Sequence, residues 1–200
     1  MTGLEIRVAG EAQARESAKV LARAFQHDPV CTWIFPAESA RARRLRRFFH
    51  AELHHSALRH GAVEFARADG AIAGVAVWFP PGAWPSATGL SSLPAYLRAV
   101  GRHFGTASQF ASAAARAHPH DQPHWYLAFI GVDPARQGQG IGTALMRSRL
   151  ERRANEAQPA YLENSNPANA ALYERFGFQI TGALDLPEAA PCVPTMWRPA

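Results

Sequence analysis

The chain's pattern predicts one mixed α/β domain, and three features carry that expectation. An apolar, β-rich run from Trp125 to Val132 stops at Asp133-Pro134, and glycines at 138, 140 and 142 then lead into helix-forming residues from Thr143. Two apolar runs, 62–66 and 72–79, flank Asp69-Gly70, which is the signature of a tight hairpin. Segments 11–25 and 38–60 place apolar residues at helical spacing. The 200 residues suffice for a single domain, 1–200, with a full core.

Taken in order, Leu4 to Val8 alternates and predicts a first strand. Glu11 to Phe25 predicts a helix with Ala18, Leu21, Ala22 and Phe25 on one face, broken by His27-Asp28-Pro29. Glu38 to His60 predicts a second helix, with Leu45, Phe48, Phe49, Leu53 and Leu58 as its apolar stripe and Gly61 as its stop. The hairpin follows, and Pro80-Pro81-Gly82 ends it. Leu93 to Ala117 has helical character, interrupted near Gly101 and Gly105, and Pro119 and Pro123 bracket a linker. After the glycine-rich stretch a long helix runs to about Ala157. A short strand at 160–164, a short helix at 169–176 and two strands near 179–186 and 192–198 complete the chain.

A strand, a glycine loop and a helix N-terminus form a site for an anionic, phosphate-bearing cofactor. Glycine lets backbone N–H groups approach the anion because no Cβ intervenes. The free N–H groups and dipole of the first helical turn favour negative charge. A nucleoside-triphosphate loop needs a lysine after its glycines, and the only lysine is Lys19. A dinucleotide fingerprint needs Gly-x-Gly-x-x-Gly, whereas Gly142 comes one place early.

The pattern Gln137-x-x-Gly140-x-Gly142 after Val132-Asp133-Pro134 resembles the acyl-CoA loop of the GNAT family of N-acetyltransferases. Downstream, Ala160 to Asn164 and the capped segment Asn166-Pro-Ala-Asn169-Ala-Ala-Leu-Tyr173 ending at Gly177-Phe178 resemble that family's second half. The stretches Ala24 to Pro29, Ala76 to Gly82, Trp125 to Leu127 and Leu162 to Ser165 are similar to the puromycin N-acetyltransferase branch. The resemblance implies a mostly antiparallel central sheet flanked by helices, with a splayed strand pair that binds acyl-CoA. It implies acetyl-CoA as co-substrate and a small-molecule amine as acceptor, with direct transfer in a ternary complex. Neither Cys31 nor Cys192 sits in a motif for an acyl-enzyme nucleophile.

Residue by residue, the resemblance assigns backbone contacts with the pantetheine arm and acyl oxygen to Ile130, Gly131 and Val132. The phosphates fall to Gln137, Gly138, Gln139, Gly140, Ile141, Gly142 and Thr143, with Asn169 as a further cofactor contact. Tyr173 aligns with the family's acid. A phenol of ordinary pKa near 10 is a reasonable hydrogen-bond donor to a departing thiolate. Asn166 reads as a cap with Pro167 at an early helical position. The strand before the loop carries no carboxylate, so Glu163 on the next strand is the nearest candidate base, with a structural acceptor as the alternative. That departure keeps a second function open, a catalytically weak CoA-binding sensor or partner-binding domain. Trp33, Phe35, Trp78, Phe79, Trp84 and Trp125 are the aromatic residues expected near an acceptor pocket.

Net charge is +5, but no nucleic-acid motif accompanies it, and the dense cluster Arg41, Arg43, Arg44, Arg46 and Arg47 reads as a solvated helix face. No apolar run approaches the ~18–20 residues a membrane span needs. No secretion signal is read at the start, and both cysteines read as reduced core thiols, so a cytoplasmic protein is expected. The pair His50 and His54 and the group His118, His120 and His124 read as surface or loop histidines, and no metal is expected.

Overall fold

A computed structural model of the chain describes residues 3–83, 89–151 and 158–200. Seven strands form one sheet: β1 (Glu5–Val8), β2 (Val63–Ala68), β3 (Ala71–Phe79), β4 (Trp125–Val132), β5 (Ala160–Glu163), β6 (Gln179–Ala183) and β7 (Pro194–Arg198). Their order is β1-β2-β3-β4-β5-β7-β6. Every neighbouring pair is antiparallel except β4 with β5, which is parallel. The expected mixed, mostly antiparallel sheet is therefore present. The β2–β3 turn is tight because Asp69 and Gly70 both take left-handed φ, 49° and 79°.

Helices cover both faces. On one side lie α1 (Glu11–Ala24), α2 (Pro29–Ile34), α3 (Glu38–His55), α4 (Gly89–Val100) and α5 (Phe104–Ala117); on the other lie α6 (Ile141–Glu151) and α7 (Ala170–Glu174). The alternation of β3 sorts the core. Val75, Val77 and Phe79 pack with Leu21, Leu45 and Phe49 of α1 and α3. Ala76 and Trp78 pack with Ile141, Leu145 and Met146 of α6. Period-two side-chain direction on the strand is enough to build two cores from one run.

Several sequence expectations are corrected here. The second helix stops at His55, not His60: Ser56 leaves helical geometry at φ −124°, ψ −71°, and 57–60 form a 3-10 turn closed by Gly61 at φ 61°. Gly101, at φ 52°, separates α4 from α5, whereas Gly105 lies inside α5 without breaking it. The short α2 was not anticipated; Asp28 caps it by accepting from Cys31 N at 3.0 Å, with Pro29 in the first turn. The expected end of the long helix near Ala157 lies outside the described residues, as does Trp84. Cys192 is exposed in the β6–β7 loop, whereas Cys31, half-buried on α2, packs against the core as expected.

The arginine cluster does not behave as one solvated face. Arg41 is 4% exposed and donates to the carbonyls of Phe35, Gln26 and Pro36 at 2.7, 2.9 and 2.9 Å. It closes the α2–α3 corner by satisfying carbonyls that would otherwise be unpaired. Arg44 does the same for Ala99 and Val100 at the end of α4, at 2.9 and 3.1 Å. Beneath α6, Glu64 of β2 is fully buried and pairs with Arg149 at 2.8 Å, while the guanidinium lies 4.7 Å from the Trp125 ring centre.

Candidate active site

The strand β4 sets the geometry. Against β3 it pairs from Tyr126 through Val132, with one register shift that leaves Ala128 unmatched. Against β5 it pairs only at Trp125 with Ala160 and Tyr126 with Tyr161. Beyond that second rung the two strands part, and the β5 side of residues 127–132 is an open edge. The splay expected from the sequence is thus in place, and Ile130, Gly131 and Val132 lie along it.

The freed edge of β4 borders a cavity of about 530 Å³. Ile130, Gly131 and Val132 form one wall, and Gln137, Gly138, Gly140, Ile141, Gly142 and Thr143 form the next. Asn166, Ala168, Asn169, Leu172 and Arg175 close the far side, and Ala24, Phe25 and Asp28 the end under α1. Gln139 is exposed in the same loop. Gly138 and Gly140 take φ of 74° and 78°, conformations that L side chains rarely adopt. The residue Ala144 donates to Gly140 O at 2.9 Å, so α6 starts at the loop and its first-turn N–H groups are left for an outside acceptor. The loop itself is pinned from below. Asp133 accepts from Ala135 N at 3.1 Å and from Arg23 Nε of α1 at 2.8 Å.

Two glycines in this region are glycine for packing reasons. A Cβ on Gly131 would lie 2.8 Å from Ala24 Cβ, so the residue lets α1 approach β4. A Cβ on Gly74 would lie 2.8 Å from Ile141 Cγ2 and 3.1 Å from Leu145 Cδ1, so it seats α6 on β3. Gly142, by contrast, would meet only ordinary contacts at 3.7 Å and needs no positive φ.

The two candidate catalytic side chains stand apart. Tyr173 is 5% exposed and packs edge-on to Phe178 at 6.2 Å, in the core under α6. It is not among the cavity-lining residues, although its helix neighbours Asn169 and Leu172 are. Burial first, and the nearby Asp28 carboxylate second, push its phenol well above the ordinary range. Asn169 lines the cavity, and the Tyr173 phenol, though buried, lies close enough to the cavity-lining Asp28 to be raised by it. Asn166 caps as expected, accepting from Ala168 N at 3.1 Å.

Glu163 lies on β5 on the α1–α3 side, together with Tyr161. Its Oε2 accepts from the Tyr126 hydroxyl at 2.7 Å, and its Oε1 is buried without a hydrogen bond to a described residue. Desolvation lifts the carboxyl to about 7, and the Tyr126 and Tyr161 hydroxyls hold it from rising further. Burial and Glu163 together raise both phenols. Of the loop histidines, His120 is exposed as expected, whereas His118 and His124 are packed inward. The His118 ring meets Tyr126 and Tyr161 edge-on at 5.2 Å each, and His124 is 6% exposed. Burial, then His124 and His120, lower His118 to about 3, so it is neutral.

The expected aromatic set is largely displaced. Trp78 and Trp125 face α6, Phe35 is core, and Phe79 stacks on Tyr126 at 6.2 Å. Trp33 is half-exposed on α2. The aromatic cluster on the Glu163 side is instead Phe25, Phe48, Phe49 and Phe129, with ring centres 5.2–6.1 Å apart. Two acids also escaped the sequence reading. Glu52 of α3 is buried, raised by desolvation, and accepts from the Tyr96 hydroxyl at 2.9 Å. Asp28 borders the cavity and accepts from Ser165 Oγ. Asp28 had a legible signal as an Asp-Pro helix cap; Glu52 had none beyond an acid on an apolar helix face. Among the described residues, no group of three or more His, Cys, Asp or Glu is placed to hold a metal ion.

Comparison with known proteins decides the family. Residues 22–178 match the Acetyltransferase (GNAT) family. The chain belongs to that family. As a GNAT protein it is an acyltransferase whose acetyl donor is acetyl-CoA, the co-substrate of the family. It is 27% identical over 175 residues to an uncharacterized N-acetyltransferase of Schizosaccharomyces pombe, spanning 82% of this chain and 70% of the yeast protein. A shorter segment of 53 residues is 43% identical to the N-alpha-acetyltransferase RimI of Mycobacterium tuberculosis, covering 26% of this chain and 34% of that one. Among solved structures, a protein described as histone acetyltransferase HPA2 and related acetyltransferase from Corynebacterium glutamicum superposes with a TM-score of 0.77 at 27% identity, covering 100% of this chain and 98% of its own. Arylalkylamine N-acetyltransferase 2 from Aedes aegypti shares the fold, with a TM-score of 0.67 at 12% identity over 99% of both chains.

Proposed function

We propose that this GNAT enzyme moves the acetyl group to a primary amine of a small molecule, by direct transfer in a ternary complex within one catalytic domain. The observation that carries the reading is the parting of β4 from β5 just past Tyr126 and Tyr161. It leaves a bare strand edge beside a loop with two left-handed glycines and the start of α6. Those groups fit an extended thioester arm ending in phosphates. Backbone N–H groups of residues 130–132 and 138–143 would hold it, with Gln137 and Asn169 beside them. Bound there, acetyl-CoA supplies an activated acetyl carbonyl and a thiol leaving group.

The chain's own residues then divide the work. Glu163, with a carboxyl near pH 7 and a buried free oxygen, takes the proton from the attacking amine on the α1–α3 side. The amine nitrogen bonds to the acetyl carbon as the carbon–sulfur bond breaks. Tyr173 donates a hydrogen bond toward the departing sulfur; its raised phenol suits it to that and opposes full proton release. The four-phenylalanine cluster supports an acceptor with an apolar or flat body.

A second reading has one observation in its favour: the Tyr173 ring is packed in the core against Phe178, with only 5% of its surface exposed. It would make the chain a CoA-binding sensor with little transfer. Thiol release from acetyl-CoA, measured over puromycin, aminoglycosides, polyamines, amino acids and peptide N-termini, separates the two. Acceptor-dependent release with a small amine supports the transferase; acetyl-CoA binding by calorimetry with no release from any amine favours the sensor.

A further inference from the structure

A second concavity, of about 480 Å³, lies between α1, α3 and α4, and it shares no lining residue with the cavity beside the glycine loop. Its floor is built from alanines: Ala18 and Ala51 are buried, and Ala95 lies beside them. Small side chains at the helix crossing leave the hollow, and exposed cations rise from its walls. Arg15 and Lys19 come from α1, Arg43, Arg46 and Arg47 from α3, and Arg98 from α4.

None of these six cations makes an ion pair or hydrogen bond with a described residue. The nearby acids are engaged elsewhere. Glu11 pairs with His54 at 2.7 Å, and Glu16 accepts from Ile72 N at 3.1 Å. Like charges stand one turn apart on both helices, Arg15 with Lys19 and Arg43 with Arg47, an arrangement that opposes helix formation. His50 in the same groove is lowered first by burial, with His54 and Arg15 adding to the effect and Glu11 opposing it.

We infer that this groove binds a compact, multiply charged phosphate ligand, an oligophosphate or a phosphorylated small molecule. Guanidinium forks converging from three helices match phosphate oxygens two at a time. The volume is that of a small-ligand site, and the cations surround a hollow instead of forming a stripe along one helix. The inference stands independently of the acceptor reading.

Inorganic tripolyphosphate is the probe, titrated calorimetrically into wild type, Arg47→Ser/Arg98→Ser and Arg43→Ser/Arg46→Ser at matched ionic strength. The control is Arg175→Gln, in the wall of the other cavity. Saturable one-to-one binding that weakens at least tenfold in both groove variants, and less than twofold in the control, supports the site. All four side chains in the groove variants are exposed, and thermal melts verify folding. Binding lost only in the control would put the ligand in the glycine-loop cavity and overturn the inference. So would the absence of saturable binding. A preference for single-stranded RNA that grows with oligonucleotide length would also overturn it, in favour of a nucleic-acid face.

Discussion

The Tyr126 hydroxyl reaches across the seam between β4 and β5 and donates to Glu163 Oε2 at 2.7 Å. Burial lifts this carboxyl to about 7 and that bond keeps it from rising further, so it sits where a proton acceptor for an amine is most useful. Under the proposed mechanism, kcat/KM rises with pH along a limb whose midpoint is near 7. Glu163→Gln removes that limb and lowers the rate by about 10²–10⁴-fold. A pH profile of thiol release on both proteins checks it; an unchanged limb removes Glu163 from the mechanism.

The same carboxyl has a stability signature of definite sign. Its folded pKa is raised, so the folded state favours the protonated form. The penalty for ionising it is absent below about pH 4.5 and accumulates as pH rises to about 7. Glu163→Gln is therefore expected to raise the melting temperature at pH 8 relative to wild type, and much less at pH 4.5. The difference is at most about 3 kcal/mol, the size of the shift. Paired melts at the two pH values test it.

Tyr173→Phe keeps the ring that packs against Phe178 and removes only the hydroxyl. A transition-state contact predicts a fall in kcat of at least about tenfold with the acetyl-CoA KM little changed. A kcat within twofold of wild type would mean the tyrosine is only core.

Gly140→Ala places a Cβ at φ 78° with nothing within 4 Å of it. The expected cost to folding is about 1 kcal/mol of backbone strain. The larger expected effect is a rise of at least about tenfold in the acetyl-CoA dissociation constant, because the loop amides turn away from the phosphates. Gly142→Ala, which meets no close contact, is the matched comparison and should bind more nearly as wild type.

Gly131→Ala tests a packing relation. The added methyl would meet Ala24 Cβ at 2.8 Å, and backbone of α1 cannot yield as a side-chain tip would. A loss of about 1–3 kcal/mol in chemical denaturation is expected, with α1 displaced from β4.

Much of this molecule was legible in its sequence because the signals were local. The Asp69-Gly70 hairpin, the glycine loop and the Asn166 cap each depend on a few adjacent residues, and all three lie where expected. What failed to show was long-range. Arg41 reads as one of five surface arginines, yet it is buried because carbonyls 5 to 15 residues away need a donor. His118 and His124 read as linker residues, yet they fill space beside two tyrosines from distant strands. The candidate base was reachable only by topology, since Glu163 meets Tyr126 across 37 positions.

The parallel pairing of β4 with β5 spans two rungs, so the main chain contributes little to joining the four N-terminal strands to the three C-terminal ones. Side chains add to the join: Tyr126, Tyr161, Glu163 and the neighbouring His118 on one face, and Leu127 with Ala160 and Leu162 on the other. The proposed proton acceptor is thus also a rivet in the frame. Substitutions that remove the acceptor oxygen would loosen the link between the halves, whereas Glu163→Gln keeps an acceptor for the Tyr126 hydroxyl while removing the titration. Under that proposal the reaction and the assembly draw on the same atoms, and neither is free to drift without the other.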